Sequence, residues 1–376
     1  MRGLLPINGN ESAMGKAFAT LRLISGVGAK GPACFLLETA GKRLMLDLGE
    51  GPPPGLLPNI DGVGAIDALV LSHGHKDHIG GLALLTKLGN PLVYATDIVA
   101  RALPKGTAVR PMPVGGQGEI LGIAVETGRN GHAPGGIWLR FAIGGGLIYT
   151  GDISAESFLY AYDPPTKPAA TALLDCSYGS YEQPIAECWN KLVSFVARGP
   201  LLLPVPANGR GPEIALELFR HGCSDIFVDE AMQKALRQLA DSDGISLHES
   251  VRDEIKHLAA ATKPIEDARG IMLAASADGV SGATARLFSE WEQKPEPAIV
   301  LTGYVNPNTP SDRMAKSGRA ATMRWNVHPR LSDSVALVRA VQAETVIPAF
   351  CDRTQFPALA TAFAPAQVTA DASIEI

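Results

Sequence analysis

The stretch Leu71-Ser72-His73-Gly74-His75-Lys76-Asp77-His78-Ile79-Gly80-Gly81 sets three imidazoles and a carboxylate within six consecutive residues, His73 to His78. An apolar run that reads as a strand, Ile66-Asp67-Ala68-Leu69-Val70-Leu71, comes before it. After it, from Ile79 to Leu88, apolar residues recur at helical spacing. The histidines therefore fall on a strand-to-helix loop. There His73 and His75 can address one metal ion, while Asp77 and His78, at the incoming helix, turn toward a second position. Neutral imidazole nitrogen and carboxylate oxygen suit zinc, and also manganese or iron. A lone histidine is a weak signal; this spacing, between a strand and a Gly-Gly pair, is a strong one.

The string His-x-His-x-Asp-His resembles the signature of the metallo-β-lactamase superfamily, metal-dependent hydrolases with a four-layer αββα fold. The resemblance asks for an acidic residue at the end of an early strand, a further histidine and a bridging aspartate. Lys42-Arg43-Leu44-Met45-Leu46-Asp47 supplies Asp47, Gly131-His132-Ala133-Pro134 supplies His132, and Leu147-Ile148-Tyr149-Thr150-Gly151-Asp152 supplies Asp152. Alone, Asp47 and Asp152 would read as strand-end turn residues. By resemblance, a first metal takes His73, His75 and His132, a second takes Asp77 and His78, and Asp152 bridges them. Asp47 supports the ligands from behind. The chemistry implied is hydrolysis by a metal-bound hydroxide, with Asp77 counted among both ligands and catalytic residues.

Composition permits such an enzyme. The chain has 376 residues, 46% hydrophobic and 19% charged, enough for a sizeable core and more than one domain. The start, from Met1 through Pro6 to Ser12, lacks the apolar stretch of a secretory signal, and no segment is long enough to span a bilayer, so a cytoplasmic protein without a membrane partner is expected. Five cysteines, Cys34, Cys176, Cys188, Cys223 and Cys351, form no Cys-x-x-Cys pair and read as reduced thiols. A net charge of −5 gives no global basic field for long nucleic acids, although a local basic groove remains compatible with it.

The second half resembles the β-CASP branch of the superfamily. Leu173-Leu174-Asp175-Cys176-Ser177-Tyr178-Gly179 resembles its first motif. Leu201 to Glu213, with Asn208-Gly209-Arg210-Gly211-Pro212-Glu213, resembles its strand, Gly-Arg turn and Glu-led helix. Ala298 to Tyr304 with Thr309 and Arg313, and Arg324-Trp325-Asn326-Val327-His328, resemble two further blocks. Between Gly179 and Met323, helices over 184–196, 214–220, 229–239, 251–260 and 283–291 alternate with strands over 201–205, 225–228, 271–274 and 298–302, which implies a parallel sheet flanked by helices. The expected architecture is a metallo-β-lactamase domain of residues 1–178 and 324–376 carrying an inserted α/β β-CASP domain of residues 179–323.

The resemblance makes His328 the general acid for the departing oxygen and Asp175 its orienting partner. Arg210 and Arg324 are candidates to bind phosphate, whereas Glu213 and Tyr304 read better as structural residues, Glu213 in an ion pair with Arg210. One departure is notable. Catalytic members such as ribonuclease J carry a late histidine, in a context like Pro-Val-His-Gly-Glu, that completes the second metal. Here Val346-Ile347-Pro348-Ala349-Phe350-Cys351-Asp352 puts Phe350 at that place. One zinc, or two with the second weakened, is therefore expected, with manganese an alternative and Cys351 or Asp352 the only nearby substitutes.

Three function classes follow: a nuclease cutting RNA or DNA, a hydrolase of small esters, thioesters or phosphodiesters, and a catalytically impaired partner subunit. A nuclease requires a cleft lined by Arg210, Arg313 and Arg324; a small-ester hydrolase, which the chain's end at Ile376 without a further RNA-binding domain would fit, requires a closed pocket. Homo-oligomers are expected by family analogy.

Overall fold

A computed structural model describes residues 19–376. The N-terminal segment read above for a secretory signal lies outside the described residues. Among the described residues no helix is long and apolar enough to cross a membrane.

The first half builds β1 (Thr20–Ser25), β2 (Cys34–Thr39), β3 (Lys42–Leu46), β4 (Ala68–Val70), β5 (Leu92–Ala95) and β6 (Val109–Pro111). A second series follows: β7 (Gly116–Ile120), β8 (Ile123–Arg129), β9 (Ile137–Phe141), β10 (Leu147–Tyr149) and β11 (Thr171–Asp175). Next come β12 (Leu201–Pro204), β13 (Ile226–Val228), β14 (Lys263–Pro264), β15 (Ile271–Ala274), β16 (Ala298–Leu301) and β17 (Ala320–Thr322). The chain closes with β18 (Thr345–Ala349), β19 (Gln367–Val368) and β20 (Ser373–Glu375). The helices are α1 (Lys76–Ile79), α2 (Asp97–Ala100), α3 (Ile185–Val196), α4 (Arg210–Arg220), α5 (Glu230–Ala240), α6 (Arg252–Ala261), α7 (Gly282–Trp291), α8 (Pro310–Lys316), α9 (Leu331–Ala340) and α10 (Phe356–Phe363).

Two seven-stranded sheets, ordered β20-β1-β2-β3-β4-β5-β6 and β19-β18-β11-β10-β9-β8-β7, share an apolar core. Alternation decides which side chains enter it: Phe35 and Leu37 of β2 and Leu44 and Leu46 of β3 meet Leu139, Phe141, Leu147 and Tyr149 of the other sheet. The opposite faces are covered separately. Leu36, Met45 and Leu69 pack under Leu84, Leu88 and Val99, while Ile148, Ala172 and Val346 pack under Leu337, Val338, Leu359 and Phe363. The layers are therefore αββα.

The third sheet, β14-β13-β15-β12-β16-β17, is parallel throughout. Its strands lie wholly between β11 and β18, which are neighbours in their own sheet, Asp175 opposite Ala349. Leu201, Leu203, Val228 and Leu273 face α3 to α6, and Leu202, Met272 and Leu301 face α7 and α8, so helices cover both faces.

Local departures from the pattern have physical causes. Residues 79–88 form one α-turn ending at Ile79 and then a 3-10 helix, Leu82–Leu88, rather than one α-helix. Gly80 and Gly81 lie so close to Leu48-Gly49-Glu50 that an added Cβ would stand 2.6 and 2.7 Å from Glu50 Cβ and the Gly49 carbonyl. Helix α4 begins at Arg210 rather than Ile214, because Pro212 sits in the first turn, where the missing N–H has no intrahelical partner to lose.

Candidate metal centre

Each chemical residue stands where a strand ends. His73 and His75 follow β4, and α1 presents Asp77 and His78. His132 follows β8 and Asp152 follows β10. Gly151 is left-handed (φ +53°) and backs onto Ser72, where a Cβ would meet the serine Oγ at 2.6 Å; this contact brings Asp152 beside His73. Asn130, which sequence reasoning missed, fixes the His132 loop: its Oδ1 accepts from the N–H of His132 at 3.0 Å, and its Nδ2 donates to the Asp152 carbonyl at 2.9 Å.

His73 Nε2 and His132 Nε2 lie 3.2 and 3.0 Å from His75 Nδ1, and Asp152 Oδ2 lies 3.8 Å from His73 Nε2 and 3.5 Å from His132 Nε2. Two ligand atoms at ~2.0 Å from a tetrahedral cation stand ~3.3 Å apart, so these four donors have the spacing of such a shell. A second cluster joins Asp77, His78 and Asp152, with His78 Nε2 3.2 Å from Asp152 Oδ1.

The other ring nitrogen of every histidine is engaged. His78 Nδ1 donates to Asp47 Oδ2 at 2.7 Å, His132 Nδ1 to the Val327 carbonyl at 2.5 Å and His75 Nε2 to the Asn208 carbonyl at 3.3 Å, while His73 Nδ1 lies 3.1 Å from Ser72 Oγ. Asp47, fully buried, also accepts from Ser72 N and Oγ and, at 2.5 Å, from the Tyr149 hydroxyl. These bonds set each tautomer so that the remaining nitrogen faces the cluster.

Electrostatics agree with that preparation. Burial pushes His73 and His132 well below the ordinary imidazole range and lowers His75, favouring the neutral form a ligand needs. Burial acts against a charge on His78 too, but Asp152 and Asp47 outweigh it and raise it well above the usual value. Burial likewise opposes ionisation of Asp152, yet His78, His328 and His132 hold it well below the carboxylate range. The pocket thus favours positive charge at the place where a cation would sit.

Beside this centre, His328 Nδ1 donates to Asp175 Oδ2 at 2.9 Å and lies 3.8 Å from Asp152. Asp175 is held in turn by the N–H groups of Ile153 and Ser177, and His328 lines the cavity of about 300 Å³ over the candidate metal ligands. Phe350 is buried with its ring centroid 5.2 Å from that of His78, at a backbone φ of +64°, its N–H bonded to the Gly26 carbonyl. Neither candidate substitute reaches the clusters of possible ligands found among the described residues. Cys351 is buried in the apolar core, and exposed Asp352 caps the turn at Arg353–Gln355.

Several outlying residues differ from expectation. Arg210 makes no ion pair with Glu213, whose carboxylate accepts instead from Phe158 N and Trp325 Nε1 and is pushed by burial up to about 7. The Arg210 Nε is enclosed without an acceptor among the described residues. Tyr304, expected to be packed, is 55% exposed and lines the metal cavity. Arg324 lies over the Tyr178 and Tyr181 rings, 4.4 and 4.1 Å from their centroids, in an adjoining groove of about 930 Å³. Arg313 is exposed on α8 and lines neither space.

Comparison with known proteins agrees with this geometry. The Metallo-beta-lactamase superfamily model matches residues 27–197. The chain is similar to "Transcription termination factor FttA" of Cenarchaeum symbiosum, 27% identical over 52% of this chain and 38% of that protein. It is also similar to "Cleavage and polyadenylation specificity factor 73" of Drosophila melanogaster, 24% identical over 73% of this chain and 49% of that protein. "Ribonuclease TTHA0252" of Thermus thermophilus is 27% identical over 50% of this chain and 52% of its own. The chain spans about half the length of these curated relatives. A crystal structure of a protein of unknown function from Enterococcus faecalis V583 shares the fold, with a TM-score of 0.62 at 13% identity over 96% of this chain and all of that one. The superfamily match implies a divalent cation, which the His/Asp cluster suits. Residues 27–197 thus carry a metallo-β-lactamase superfamily domain, and the relatives named here are members of its β-CASP branch.

Proposed function

We propose that the protein is a metal-dependent phosphodiesterase that hydrolyses RNA or DNA. The observation that carries this reading is the convergence of His73, His75, His132 and Asp152 on one point beside the His328–Asp175 pair. Zinc is the proposed cation, with manganese as an alternative; because a catalytic site keeps a position open to water, His73, His75 and His132 would hold it, with Asp152 common to both clusters. A cation bound there acts as a Lewis acid and lowers the pKa of water to near neutrality.

The protein's own groups do the rest. Asp47 and the carbonyls of Asn208 and Val327 hold the imidazoles in place. Asp77 and His78 form a second, weaker position, because Phe350 brings no ligand atom to it. Asp175 orients His328, which protonates the departing oxygen. Arg210 and Arg324 bring positive charge to phosphate, which an unpaired guanidinium suits. In this reading residues 179–323 form the inserted unit, set on a host of residues 1–178 and 324–376, and the substrate lies between them. A cytoplasmic setting is proposed as well, since the five cysteines are all unpaired thiols and four of them are buried.

The test is cleavage of labelled RNA and DNA oligonucleotides by zinc-loaded protein. Cleavage abolished by a chelator and by His73→Ala is expected; absence of cleavage with either metal would contradict the reading.

A further inference from the structure

We propose that the groove beside the metal cavity seats the strand bearing the departing oxygen, and that Arg324, stacked on Tyr178 and Tyr181, grips the phosphate next to the scissile one. This rests on the phosphodiesterase reading and narrows it to single-stranded polynucleotides.

The groove and the metal cavity are continuous, since Lys30, Arg210, Tyr304, Val327 and His328 line both. Arg324 lines only the groove, so the phosphate it meets is not the reacting one. His328, the proton donor of the proposed mechanism, stands at the junction. The strand attached to the departing oxygen therefore continues on the side of His328 that opens into the groove.

Charge and shape fit that occupant. Among the described residues, Lys30, Lys191, Arg210 and Arg324 line the groove against two carboxylates, Glu187 and Asp352, on a chain whose net charge is −5. Stacking orients the Arg324 guanidinium and leaves its N–H edge free; among the described residues it makes no hydrogen bond or ion pair. The enclosed Arg210 Nε likewise finds no acceptor there. Tyr178 is close to both guanidinium groups, and two unpaired cations around one ring are stabilised by an anion. Tyr304, with Lys30 Nζ 4.9 Å from its ring centroid and half its surface exposed, offers a stacking face at the mouth. A single strand has free base faces for such a ring, and a duplex does not.

The experiment compares wild type and Arg324→Gln, both metal-loaded, on bis(p-nitrophenyl) phosphate, on a labelled single-stranded oligonucleotide and on its duplex. Because Arg324 is exposed, the substitution leaves folding intact. The ratio of kcat/KM for the single strand to that for the small diester should fall about tenfold, chiefly through KM. The salt dependence of the single-strand reaction should weaken by about 0.7 in log–log slope, the contribution of one phosphate. An unchanged ratio and slope, or a duplex cut as well as a single strand, would overturn the groove assignment alone. Wild type that hydrolyses the small diester but no oligonucleotide would overturn the nuclease reading, and the groove with it.

Discussion

The phenyl ring of Phe350 stands against the imidazole of His78, centroids 5.2 Å apart and planes inclined at 65°, so a hydrocarbon edge faces one of the three residues of the second cluster. Phenylalanine offers no donor atom, and its left-handed backbone shows that the turn is held by its surroundings, the Gly26 carbonyl among them. Phe350→His should therefore raise retention of a second ion. The check is metal content by mass spectrometry after desalting, with Phe350→Leu as the control. Equal ion counts in the two variants would show that position 350 does not limit the second site.

Asp47 ties three groups together: His78, Ser72 and the Tyr149 hydroxyl. Asp47→Asn sets an amide donor against these donors and loosens the imidazole. Affinity for the cation should fall roughly 10- to 100-fold in chelator competition. An unchanged affinity would remove Asp47 from the support of the site.

His328→Ala should lower kcat on an oligonucleotide by about 10² to 10⁴, with Asp175→Asn following it in part. The loss should be far smaller on a p-nitrophenyl diester, whose leaving group needs no proton. Equal losses on both substrates would indicate a structural role for the pair.

Glu213 gives a stability signature away from the metal. Burial raises its folded pKa from 4.5 to about 7, so the native state keeps a proton that the unfolded chain gives up. Stability contributed by this group is present in full below about 4.5 and is lost as pH rises through about 7, by up to about 3 kcal/mol. Glu213→Gln should flatten that decline in urea titrations between pH 5 and 8. An identical decline would place the linkage elsewhere.

Much of this architecture is legible in the chain because its signals are local. The unbroken apolar run Leu44-Met45-Leu46 of β3 announces a strand buried on both faces, and the spacing from His73 to His78 announces a donor cluster at a strand end. What is not legible has no side-chain signature. The acceptors for His75 and His132 are the main-chain carbonyls of Asn208 and Val327, and any residue type can present a carbonyl. Asn130 resembles any loop asparagine until its bond to the Asp152 carbonyl is seen. The true start of α4 was hidden by Gly211 and Pro212, which signal a turn equally well as a first helical turn. The exposure of Tyr304 depends on loops that meet only in three dimensions.

The most direct test of the metal centre is ion content per chain on protein purified without chelator, with anomalous scattering to place each ion. One ion should be retained through desalting at His73, His75 and His132, beside Asp152, and a second, near Asp77 and His78, should appear only in excess metal. Retention of no ion after zinc or manganese is supplied would contradict this assignment.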